Sequence, residues 1–125
     1  MRVDRGSIVY FRGDVVLELG IEPAGIVPRR DGPWVCVGMG PLFSRWAPIT
    51  TRRGTVEARD IPPSAWVSPP RGKLYRSAIV IHASIGLRNV DLQVAADGID
   101  RIEGLRPAVS VAYLRSLGVL APNAL

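Results

Sequence analysis

The sequence predicts a small, mainly β domain of barrel-like form, closed by a C-terminal helix. Three observations predict it. Glycine and proline number 13 and 11, about a fifth of the 125 residues, so turns are frequent and long helices few. Apolar residues recur in short runs bounded by those turn formers, as strands do. The stretch after Pro107 spaces its apolar residues as one helical face. A composition 47% hydrophobic and 22% charged is that of a folded chain, and its length suits one domain over residues 1–125 with one core.

The elements follow in order. Ser7 to Phe11 reads as a first strand. Arg12-Gly13-Asp14 reads as a turn and Val15 to Leu19 as a second strand. Gly20 to Gly32 is a long loop, of the kind that is often functional. Trp34 to Val37 is a continuous apolar run of strand length, ended by Gly38, Gly40 and Pro41. Trp46 to Ile49 resumes, and Pro48 argues for an edge strand or a bulge there. Thr55 to Ala58 is a short strand, and Asp60 to Gly72 a second long loop in which Trp66 packs down onto the barrel. Tyr75 to His82 is apolar on both faces at its centre, as a central strand would be. Asn89 to Val94 alternates as a half-buried strand, and Asp97 to Leu105 suggests a helical turn. The helix runs from about Pro107 to Leu117, with Pro107 first and Gly118 as its stop. Val9, Val16, Val35, Val37, Ile49, Val80 and Leu92 are the expected core.

Charge narrows the partners. Between Arg45 and Arg76 lie seven basic residues against Glu57 and Asp60, which equals the whole net charge of +5. Such a patch fits a polyanion, either nucleic acid or an acidic peptide; arginine-rich solvated loops and a biased genome are the alternative source. The N-terminus is charged throughout, with no apolar signal segment, and no run reaches membrane-spanning length, so a soluble cytoplasmic protein is expected.

Most active-site chemistries fail for want of residues. Cys36 is the one cysteine and lies in an apolar run, so a buried, inert thiol is expected. His82 is the one histidine and lacks metal-ligand spacing, so no metal or cofactor is expected. Phosphate-loop and nucleophile-elbow motifs do not occur. The chain does offer arginines beside hydroxyls, above all Thr50-Thr51-Arg52-Arg53 at a strand end, which is either a phosphate site or a polar strand terminus. Arginine and threonine suffice for one reaction, attack of an RNA 2′-hydroxyl on its own phosphate. The substrate brings the nucleophile, and the protein orients the phosphate and stabilises its developing charge.

The same residues carry a family resemblance. Asp4-Arg5-Gly6-Ser7-Ile8-Val9-Tyr10-Phe11 resembles the basic-glycine-acidic opening and first strand of the MazF/PemK toxin family. Arg29-Arg30-Asp31-Gly32-Pro33 followed by Trp34 to Val37 resembles its long loop and second strand, and Ala47-Pro48-Ile49-Thr50 its Ala-Pro-Leu/Ile-Thr motif. The resemblance implies an SH3-like barrel with a C-terminal helix. It further implies a metal-independent endoribonuclease toxin, acting as a homodimer and neutralised by an acidic antitoxin peptide. Thr50 then stands for the catalytic hydroxyl. The family's arginine directly precedes the proline, where this chain has Gly32, so Arg30 is the candidate for that role. Arg29, Thr51, Arg52, Arg53, Arg71 and Lys73 are the expected RNA contacts. Two other readings use the same residues. One is a structural assembly module, for example a phage particle component located in the virion, whose arginines pair with the acids of other subunits. The other is a non-catalytic nucleic-acid-binding barrel.

Overall fold

The computed structural model of the chain describes residues 1–51, 57–70, 72–97 and 106–121. The fold is mainly β. Strands β1 (Ile8–Phe11), β3 (Gly32–Met39) and β4 (Phe43–Thr50) pair antiparallel in that order. Beyond β4 the sheet divides. The first half of β4 pairs with β8 (Ser84–Arg88), which in turn pairs with β2 (Ile21–Ala24). The end of β4 pairs with β7 (Ala78–Val80), which carries β5 (Ala58–Asp60) at its far edge. A separate short pair joins β6 (Trp66–Ser68) to β9 (Ala108–Val109). β1 and β5 stand at opposite ends of the strand path, so the described strands do not close into a ring.

This branching explains Pro48. The sequence suggested an edge strand or a bulge at that point, yet β4 is flanked on both sides. Cys36 N–H donates to Ser7 C=O, so Val35 turns its polar groups to Ala47, and Pro48 turns its nitrogen away from β3. On that side Trp46 is the last residue paired with β8 and Ile49 the first paired with β7. The missing N–H falls where the strand changes partner. The register irregularity lies instead between Cys36 and Gly38.

The core residues expected from sequence are all buried, but six of them fall in two clusters rather than one, and Val80 belongs to neither. Val35, Val37 and Ile49 belong to a cluster capped by Trp66, Val109 and Leu114. Val9, Val16 and Leu92 belong to the other, with Trp34, Trp46 and Phe11. Phe11 meets Trp46 edge to face at 4.8 Å between ring centres. Neighbours along β3 alternate between the clusters, so the sheet is covered on both faces. The uninterrupted apolar run from Trp34 to Val37 follows from that.

Two expected strands are helical. Val15 to Leu19 lies in α1 (Gly13–Leu19), with Val16 buried, Val15 and Leu19 half-buried, and Leu17 and Glu18 exposed. A run of five residues fits either period, and tertiary contact decides. The turn expected at Arg12 to Asp14 is the start of this helix. Asn89 to Val94 is a 3-10 turn (Asn89–Asp91) running into α2 (Leu92–Ala95). Leu92 is buried while Val90 and Val94, four apart on one helical side, face solvent.

The loop from Gly20 to Gly32 contains the exposed edge strand β2, and Gly32 itself opens β3. The loop from Asp60 to Gly72 holds a 3-10 turn (Pro63–Ala65) and β6, whose Trp66 is 9% exposed and packs as expected. The strand foreseen from Tyr75 to His82 contracts to β7, central between β4 and β5, while Tyr75 lies in a 3-10 turn (Gly72–Arg76). The short strand β5 starts at Ala58; Thr55 and Val56 lie outside the described residues, as do residues 98–105 of the suggested helical turn. The C-terminal helix α3 (Val111–Ser116) begins later than expected. Pro107 and Val109 belong to β9 and its approach, and Ser110 caps the helix by accepting from Tyr113 N–H. Gly118, at φ 72°, ends it: Gly118 N–H donates to Arg115 C=O and Val119 N–H to Leu114 C=O.

Candidate functional site

A cleft of about 410 Å³ opens where β3 begins and β4 ends. Arg30 and Asp31 line it from the loop before β3, and Thr50 and Thr51 from the end of β4. Tyr10 of β1, which pairs with Pro33, lines it too. The antiparallel β3–β4 pairing accounts for the convergence, because it sets the start of one strand beside the end of the other.

The loop that carries Arg30 is clamped rather than free. Asp31 Oδ1 accepts the Gly13 N–H at 2.9 Å, satisfying a donor at the start of α1. Arg29 C=O lies so close to Gly13 that a Cβ there would sit 2.1 Å from it. Only glycine admits that approach. Arg30 is exposed, with no ion-pair partner among the described residues. Gly32 borders the cleft, with open space where a side chain would be.

The other expected contacts are placed as follows. Arg29 is exposed beside α1 and does not line the cleft. Lys73 is exposed in the 3-10 turn before β7 and also lies outside the cleft wall. Arg52, Arg53 and Arg71 lie outside the described residues. Arg45, counted in the basic patch, braces strands instead: its Nε donates to Ser84 Oγ at 3.0 Å and its Nη2 to Glu22 C=O at 2.5 Å. Arg59 is 3.5 Å from Glu57, and exposed His82 is 3.0 Å from the same carboxylate.

Cys36 is fully buried, and burial pushes its thiol from 9.0 up to about 12. A thiol protonated at neutral pH is a poor nucleophile. No cluster of potential metal ligands occurs among the described residues. Among those residues, no helix is long and apolar enough to cross a membrane.

Sequence reasoning missed Tyr10 and Asp31. Tyr10 sits in the unbroken run Ile8 to Phe11, which carries no sign of which residue will be 42% exposed. Asp31 before glycine reads as an ordinary turn residue, and its bond to Gly13 spans a long sequence separation. No family model, curated protein or solved structure matches the chain.

Proposed function

We propose that the chain is a metal-independent endoribonuclease of the MazF/PemK toxin kind. One observation supports the reading: Arg30 and Thr50, both marked by the motifs of the resemblance and twenty residues apart in sequence, line one cleft. Arg30 stabilises the charge that builds on the phosphate oxygens as the substrate's 2′-oxygen attacks phosphorus. Thr50 holds a phosphate oxygen. The bond from phosphorus to the 2′-oxygen forms and that to the 5′-oxygen breaks. The proton lost by the 2′-hydroxyl passes to water, and the departing oxygen takes one from water. The products are a 2′,3′-cyclic phosphate and a 5′-hydroxyl. The exposed arginines hold the RNA backbone, and an acidic antitoxin segment competes for the same surface of a cytoplasmic homodimer.

Purified protein incubated with mixed RNA in EDTA tests this. Discrete fragments ending in cyclic phosphate are expected, and Thr50→Val, nearly isosteric, slows cleavage while binding stays close to normal. A second reading, a non-catalytic RNA-binding protein, is favoured by Gly32 standing where the family has its arginine. Tight binding with RNA left intact would select it. Intact RNA without binding would leave a structural assembly module.

A further inference from the structure

The turn that leads into β7 presents a second set of groups suited to RNA. Leu74, 6% exposed, anchors the 3-10 turn Gly72–Arg76 in the core, and Ser77 closes it by donating its N–H and hydroxyl to Leu74 C=O. Lys73, Tyr75 and Arg76 are left facing solvent. The Tyr75 ring stacks on Trp66, 6.4 Å between centres with 17° between planes. Trp66 is buried, whereas Tyr75 is 37% exposed. Lys73 and Arg76 have no ion-pair partner among the described residues.

The position matters as much as the composition. Ala78 pairs with Thr50, and Arg76 lies only two residues before Ala78, so its Cα is at most about 7 Å from that rung. Tyr75 adds one residue more. From that rung, Arg76, Tyr75 and Lys73 follow one another back along the chain.

We infer that Tyr75 is a stacking platform for one base of single-stranded RNA, next to the cleft, with Arg76 and Lys73 holding the flanking phosphates. This rests on the endoribonuclease reading and assigns it a second base subsite. A tyrosine held by Trp66 and by an anchored turn loses little freedom when a base stacks on it. The stack tolerates any base, so the subsite adds affinity without sequence choice.

Anisotropy titrations with 2′-O-methyl RNA, which cannot be cleaved, test the inference. The probes are an oligonucleotide short enough to fill only the cleft and one about twice as long. Tyr75→Ala is expected to weaken the long probe about tenfold and leave the short one unchanged, while Tyr75→Phe binds both as the parent does. Lys73→Ala, an exposed position with no fold to disturb, lowers the slope of log affinity against log salt by about 0.7. Equal affinity of Tyr75→Ala and the parent for the long probe overturns the inference. So does an equal loss on both probes, or an unchanged salt slope in Lys73→Ala. If the parent still cleaves RNA in those cases, the endoribonuclease reading stands and only the subsite falls. A parent that neither binds nor cleaves RNA overturns both.

Discussion

Arg45 and Arg30 stand at opposite ends of the β3–β4 pair, and they do different work. Arg45 lies where β4 is flanked by β3 and β8, and its guanidinium ties β8 to β2 through Ser84 and Glu22. Arg30 lies where β8 has given way to β7 and the cleft opens, with no carboxylate paired to it among the described residues. The same kind of side chain is a brace at the closed end and, among the described residues, a cation without an ion-pair partner at the open end. Counting arginines in the sequence cannot separate the two.

The closed end should carry the stability. Trp46→Ala removes a fully buried indole packed on Phe11 and leaves the Ser44 hydroxyl without the indole N–H it accepts from. A loss of about 4 kcal/mol is expected in denaturant unfolding. A loss under about 1 kcal/mol would mean that this end is not the core. The open end should carry the chemistry. Arg30→Ala is expected to slow RNA cleavage about a hundredfold, roughly 2.7 kcal/mol of transition-state stabilisation, with the melting temperature unchanged.

Arg45→Ala should do the reverse. It loses two hydrogen bonds to a charged donor and about 2 kcal/mol of stability, while cleavage measured well below the melting temperature stays at the parent rate. Similar effects from both arginine variants would erase the distinction between the ends. Gly32→Arg probes the open end by addition. A Cβ there meets nothing within 4 Å, so the fold should accept it, and a guanidinium at the rim should raise cleavage about tenfold. No gain would show that Arg30 already supplies what this position would add.

The smallest effect concerns Cys36, buried in β3 between the two ends. The folded thiol holds its proton up to about pH 12, whereas the unfolded thiol loses it near 9. The unfolded state binds fewer protons in that window, so stability falls as pH rises through it. At pH 9.5 the loss should be about 0.8 kcal/mol, absent in Cys36→Ala, as read from denaturation midpoints.

What the sequence determined by itself was local. The runs at Ile8 to Phe11 and Trp34 to Val37 gave strands, the chosen apolar residues gave buried positions, and Gly118 gave a helix stop. Each depends on a residue's own preference and its nearest neighbours. The sequence also marked Arg30 and Thr50, through motif positions rather than through geometry. Tertiary structure decided the rest. Val15 to Leu19 became a helix because Asp31 caps its start and one side of it meets the core. Pro48 is tolerated in a flanked strand because two different strands divide that edge. Arg45 became a brace because Ser84 and the Glu22 carbonyl reach it from distant parts of the chain. Arg30 and Thr50 share a cleft because β3 and β4 run antiparallel, with Trp34 opposite Pro48. In each case the deciding partner is far away in sequence, and only the folded chain brings it close.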